Sequence, residues 1–140
     1  MKRLLPIMGF LALLAGQAHA APSCPPEIDV RESLAAEVPG WSAVTAETPR
    51  RLNRIAFHDG HPSERVTLVP DATTKAKGRE TATWRFGKDS GRGIWMECGY
   101  AGTSISLVRE LPPGTKTCSV AYEMNVRLAG MPRIETVECR

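Results

Sequence analysis

From Arg51 to the C-terminus apolar residues recur at alternate positions, the period of half-buried β-strands rather than of helices. Gly and Pro punctuation cuts the stretch into strands. In an antiparallel hairpin, facing residues share a side of the sheet, so each turn predicts a register. The Gly87–Gly93 loop sets Phe86 opposite Ile94, Trp84 opposite Met96 and Ala82 opposite Cys98. Ala101-Gly102 sets Cys98 opposite Ile105 and Met96 opposite Leu107. Pro112-Pro113-Gly114-Thr115 sets Ile105 opposite Tyr122 and Leu107 opposite Val120, and a turn near Ala129-Gly130 sets Val120 opposite Val137 and Cys118 opposite Cys139. Upstream, Leu52–Phe57 and Arg65–Val69 form another hairpin, adding Ile55, Phe57, Val66 and Leu68 to the core. Ala21–Pro26 reads as an extended arm; Ile28–Leu34 as a strand, or Glu32–Val38 as a helical turn, ended by Pro39-Gly40-Trp41. The expectation is a mainly β domain, an antiparallel meander or a sandwich, with at most one short helix.

These registers collect Ala82, Trp84, Phe86, Ile94, Met96, Cys98, Ile105, Leu107, Cys118, Val120, Tyr122, Val137 and Cys139 on one face. The opposite face carries Thr83, Arg85, Trp95, Glu97, Ser104, Ser106, Ser119, Glu123, Thr136 and Glu138. Arg109 and Glu135 fall on the apolar side and fit only at the ends of the sheet. A slip of one residue would exchange the faces. Trp95 points away from the core beside Glu97 and directly across from Arg85, a combination suited to anchoring a protein interface, where Trp and Arg are over-represented. The competing reading is that the segment around Val30–Trp41 covers this face, since small domains commonly pack two layers around one core.

Met1–Ala20 changes the picture of where the protein works. Lys2 and Arg3, the apolar run Leu4–Leu14 and Ala18-His19-Ala20 make a secretory signal peptide whose apolar stretch is short for a permanent membrane span. Leu14-Ala15-Gly16 begins like a lipoprotein box, but Gln17 follows it and offers no thiol to acylate. The expectation is a signal peptide at 1–20, cleaved near Ala20, and one periplasmic, unanchored domain over 21–140. Without Lys2 and Arg3, the 18 basic and 15 acidic residues of the whole chain, net +3, become net +1. That balance argues against a nucleic-acid partner and against steering toward acidic membranes.

Cys24, Cys98, Cys118 and Cys139 all follow the expected cleavage site. An even number in a small exported chain points to two disulfides. A zinc site is the rival, weakened by the lack of any C-x-x-C pair. The register admits Cys118 with Cys139, which leaves Cys24 for Cys98. A curled sheet would admit the other two of the three connectivities.

His58, Asp59 and His61 could hold a metal, or His58 could act as a base. The same residues suit a solvated hairpin tip, because Asp-Gly and His-Pro are turn dipeptides. Gly-x-Ser-x-Gly is absent, and the Gly87–Gly93 loop, with Lys88 and Gly91, lacks the strand-to-helix context that cradles a phosphate. No cofactor is expected, and the balance is against an enzyme.

Cys24-Pro25-Pro26, Gly40-Trp41, Phe57-x-Asp59-Gly60, Ala82–Phe86, Ile94-Trp95-x-x-Cys98-x-Tyr100-Ala101-Gly102-Thr103, Leu111–Thr115 and Cys118-x-Val120 through Cys139-Arg140 together resemble a family of small exported proteins of Gram-negative bacteria with no assigned activity. The resemblance implies export, paired cysteines and a loose association with antibacterial toxin-delivery systems. The functional expectation is a periplasmic domain that binds another envelope protein or a delivered toxin, as an inhibitor or immunity protein against a cell-wall-directed enzyme would. Its alternatives are a metal-binding protein or hydrolase using His58, Asp59 and His61, and a structural accessory of the envelope.

Overall fold

A computed structural model describes residues 23–45, 47–87 and 91–140 of the chain. The signal peptide expected at Met1–Ala20 and the tip of the Gly87–Gly93 loop lie outside the described residues. The strands are β1 (Glu27–Ile28), β2 (Arg50–Asp59), β3 (Thr67–Leu68), β4 (Ala72–Ala76), β5 (Arg79–Arg85), β6 (Ile94–Tyr100), β7 (Ser106–Glu110), β8 (Thr117–Leu128) and β9 (Met131–Cys139). A single 3-10 turn, Pro62–Glu64, is the one helical element among the described residues.

Two antiparallel sheets result. The first has the order β1-β2-β6-β7, with β3 also paired to β2, and the second runs β4-β5-β8-β9. Alternate residues of each sheet turn toward the other. Ile55, Phe57, Met96, Cys98 and Tyr100 come from the first sheet, and Ala82, Trp84, Cys118 and Val120 from the second; all are buried. Phe57 is fully buried and packs its ring against Trp84, with centroids 4.9 Å apart. Trp84 also donates its indole N–H to the Leu68 carbonyl at 3.1 Å, so one side chain of the second sheet completes the polar contacts of the first.

Of the two expected architectures, the meander and the sandwich, the chain adopts the sandwich. β5 pairs with β8, placing Ala82 opposite Val120 and Trp84 opposite Cys118, and neither the β5–β6 nor the β7–β8 hairpin forms. The reason is burial: one sheet carrying every apolar strand face would have nothing to cover it, whereas two sheets bury each other. Between β5 and β6 the chain passes from the second sheet to the first, and residues 111–116, with Pro112 and Pro113 unable to donate to a ladder, carry it back. β6 and β7 do form a hairpin, but Cys98 faces Leu107 rather than Ile105, a shift of two that leaves the faces unchanged. Because β7 is an edge strand, Leu107 and the preceding Ile105 stay exposed, as does Val66.

At the C-terminal end Cys118 faces Cys139 and Val120 faces Val137, as the sequence predicts. The register then shifts between Ala121 and Tyr122, so that Tyr122 faces Ile134 and Glu135 is the extra residue of a bulge. Glu135 thereby escapes the apolar side and pairs with Arg79 at 2.8 Å. The strand β4 went unpredicted because Ala-Thr-Thr-Lys-Ala has no apolar alternation. It is brought back by Lys77-Gly78, both at positive φ (49° and 76°), a two-residue turn of the type that suits strand twist.

Neither the strand over Ile28–Leu34 nor the helical turn over Glu32–Val38 forms beyond the two residues of β1. Residues 31–45 are exposed throughout, so this segment does not cover the face that bears Trp95.

The disulfides join Cys24 to Cys98 and Cys118 to Cys139, with Cα separations of 5.8 and 4.1 Å. The first spans 74 residues and the second 21. Constraint of the unfolded chain grows with loop length, giving about 4 kcal/mol for the longer loop and about 3 kcal/mol for the shorter. Replacing Cys24 and Cys98 together by Ala is therefore expected to lower the urea midpoint more than replacing Cys118 and Cys139; an equal or smaller drop would contradict this order.

Candidate binding face

The outward side of the first sheet gathers the polar chemistry. Along β2, Ile55 and Phe57 face the core, so Arg54, Ala56 and His58 face outward. β6 contributes Trp95 and Glu97, and β7 contributes Ser106, Val108 and Glu110. The ladder places His58 opposite Trp95, Ala56 opposite Glu97, Glu97 opposite Val108 and Trp95 opposite Glu110.

Glu97 organises this face. One carboxylate oxygen takes a hydrogen bond from the Arg54 guanidinium at 2.8 Å, and the other lies 2.8 Å from His58 Nε2. A carboxylate only accepts, so Nε2 carries a proton toward Glu97, while Nδ1 lies 3.3 Å from the Thr67 hydroxyl. His58 is 4% exposed, the one buried polar or charged side chain among the described residues, and both its ring nitrogens are engaged. Gly99 makes room for this arrangement. A Cβ at that position would stand 2.9 Å from Arg54 Nε, so the guanidinium would have to shift.

Burial alone would raise the Glu97 carboxyl. Hydrogen bonds from Ser106, Arg54 and His58, with the Arg54 charge, outweigh burial and hold it below its ordinary value.

Trp95 is half-buried, its indole packed against the edge of the His61 ring with centroids 4.7 Å apart. His61 is itself held as the N-cap of the 3-10 turn. Its Nδ1 contacts the Ser63 hydroxyl at 2.8 Å and accepts from the Ser63 N–H at 3.2 Å, while the Glu64 side chain accepts from its backbone N–H at 3.1 Å. The indole is thus braced before any partner arrives.

Trp95 and Glu97 therefore lie together as the alternation predicts, and Arg85 does not join them. It sits on β5 of the second sheet opposite Thr117, with its side chain on the rim of a cleft of about 480 Å³ at one end of the sandwich. The placement of Arg85 across from Trp95 is corrected, because it rested on a β5–β6 hairpin that the chain does not make.

The loop set His58, Asp59 and His61 is also separated. Adjacent residues of a strand point to opposite sides, so Asp59 turns away from His58 and meets Arg92 at 3.1 Å. His61 is committed to the cap and to Trp95. Among the described residues no three His, Cys, Asp or Glu side chains gather where they could hold a metal ion. Arg54 and Thr67 escaped sequence reading; the signal for Arg54 was its parity with His58 four residues on.

A depressed carboxyl contributes stability above its unfolded value, and the contribution is lost as pH falls through the folded value. The expected loss begins as pH drops below about 4.5, the ordinary value for Glu. Glu97→Gln is expected to cost about 1–2 kcal/mol at neutral pH and to flatten this acid limb. Denaturant titrations from pH 7 to pH 3 check it; parallel curves for both proteins would refute the assignment.

Residues 46–140 match the family model described as Type VI secretion system Tli immunity protein. The chain is also 24% identical over 111 residues to an uncharacterized 16.3 kDa protein in the trpG 5' region of Azospirillum brasilense, an alignment covering 74% of this chain and 73% of that protein. No solved structure matches the chain.

Proposed function

The chain belongs to the Type VI secretion system Tli immunity protein family, and so is an immunity protein that binds a delivered toxin; from that premise we propose that it acts in the periplasm and meets the toxin with the outer face of its first sheet, around Trp95 and Glu97.

The observation that carries the choice of face is Trp95. A large apolar ring stands half-buried on the outside of a sheet, held by His61 and bordered by the exposed Val108. Such pre-ordered aromatic residues lose little freedom on binding, and Trp is among the residues that dominate interface energies. The Arg54–Glu97–His58 network holds the strands beneath it in one geometry. Inhibition by this route consumes nothing and needs no reacting group: the protein neutralises the toxin by occupying it.

Two features support a periplasmic site of action. The first is the charged start, apolar run and Ala18-His19-Ala20 of a secretory signal. The second is the pair of disulfides, which persist in an oxidising compartment. Members of the family are typically periplasmic. Among the described residues no helix is long and apolar enough to cross a membrane.

Cells lacking this protein should be killed by type VI-competent siblings and rescued by a plasmid copy. Trp95→Ala is expected to reduce rescue strongly while leaving thermal unfolding within a few degrees of the parent; full rescue by Trp95→Ala would move the contact off this face. Protein recovered from the periplasm should begin at Ala21 by N-terminal sequencing, and a chain that still starts at Met1 would overturn the export reading.

A further inference from the structure

Between Ile28 and Arg50 the chain leaves the sandwich and returns to the place it left. Ile28 and Arg50 are cross-strand partners, and so are Glu27 and Arg51, so the two ends of the excursion are bonded side by side. The neck is reinforced. Arg51 pairs with Glu27 at 3.0 Å and Arg50 with Glu32 at 3.2 Å, the Leu52 N–H donates to the Pro26 carbonyl, the Tyr100 hydroxyl donates to the Pro25 carbonyl, and Cys24 is bonded to Cys98.

What the neck presents is apolar and uncovered. Leu34, Val38, Trp41 and Val44 are 55%, 49%, 80% and 94% exposed. Single exposed apolar residues are ordinary, but four within eleven positions of one loop mark an interaction site. The middle of the excursion is a turn. Trp41 N–H donates to the Val38 carbonyl at 3.0 Å across Pro39-Gly40, with Gly40 at φ 81°, the arrangement of a type II turn with Pro and Gly in the positions that favour it. Val38 and Trp41 are therefore held at the two ends of one rigid turn.

We propose that this loop is a second toxin-contacting element, and that its Val38-Pro39-Gly40-Trp41 turn inserts into an apolar cleft of the toxin that is lined by basic residues. The proposal rests on the immunity function but not on the Trp95 face. Basic lining follows from charge: with Glu32 taken up by Arg50, Asp29 and Glu37 still outnumber Arg31 along residues 29–45, and Glu37, next to Val38, has no ion-pair partner among the described residues. The loop also precedes residue 46, where the family match begins. It is suited to choosing one toxin over another. Closure of the neck removes much of the entropy that an open chain would lose on binding, and the turn removes more.

The test uses the purified type VI effector that kills cells lacking this protein, mixed with the full mature chain labelled with 5-fluorotryptophan. The three tryptophans give separate fluorine signals. Trp41 is expected to shift and lose its solvent-isotope effect on binding, and Trp41→Ser to weaken affinity by about tenfold or more. Gly40→Ala should weaken it severalfold: an added Cβ meets nothing within 4 Å, so only the left-handed backbone is penalised. Replacing residues 33–44 with Gly-Ser of equal length keeps the neck and should cost at least as much as Trp41→Ser.

A shift at Trp95 alone, with the loop variants binding like the parent, overturns the loop proposal and leaves the face intact. A shift at Trp41 alone, with Trp95→Ala binding like the parent, supports the loop and removes the face. Shielding of Trp41 that grows with protein concentration before the effector is added would assign the loop to self-association and overturn the proposal.

Discussion

The contact between Phe57 and Trp84 is the constraint on which the rest of the structure depends. Phe57 is the fully buried ring of β2, Trp84 the largest inward side chain of β5, and they meet between the sheets, with Phe86 closing on the same ring at 5.7 Å. The separation of the sheets is set by these rings. Trp84 also needs a partner for its N–H, and the Leu68 carbonyl supplies it. That bond places β3 beside β2, and with it the His58–Thr67 contact on the far side of the sheet. A core packing requirement therefore reaches through one strand to the outer face.

Which side of each strand is buried could be read from the chain, and which strands lie side by side could not. The face of a residue is a property of its own strand, because period two is built into the backbone. Ala82, Trp84, Met96, Cys98, Cys118 and Val120 are thus buried although half of the pairings used to group them do not exist. Pairing depends on whether a turn reverses the chain within a sheet or carries it to another, and Gly-rich or Pro-rich loops are compatible with both. Where the turn was short and the partner unambiguous, as at Ala129-Gly130, the register came out residue by residue until the bulge at Glu135. The disulfide pairing survived for a similar reason: Cys118 and Cys139 belong to that hairpin, and two cysteines remained.

The binding face divides along the same line. Trp95 and Glu97 were legible because alternation alone puts them outside. Arg85 has the same outward parity on its own strand, but its neighbourhood depended on a pairing, and it stands on the other sheet. The burial of His58 escaped for a subtler reason. In sequence it belongs to a polar cluster with Asp59 and His61, which suggests a solvated tip, yet it is buried among Thr67 of β3 and Trp95 and Glu97 of β6. No local pattern encodes that enclosure. The loop before β2 escaped because its apolar spacing resembles a strand or a helical turn, and a segment that buries nothing against its own fold satisfies neither pattern.

β6 links the face and the loop proposed to meet the toxin. Glu97 and Cys98 are consecutive and point to opposite faces: Glu97 outward, where it holds Arg54 and His58 in place, and Cys98 inward, where it ties down Cys24 and the neck of the exposed loop. Tyr100, two residues on, fixes the same neck through the Pro25 carbonyl. A displacement of β6 would therefore disturb the face and the loop together, while a change confined to residues 33–44 would leave the face untouched. This separation lets the loop vary in sequence without cost to the sandwich, because its side chains contribute nothing to the core. In an immunity protein that arrangement would have a direct use: the sandwich supplies stability and a fixed platform, and a loop that meets the toxin as proposed would be free to follow changes in it.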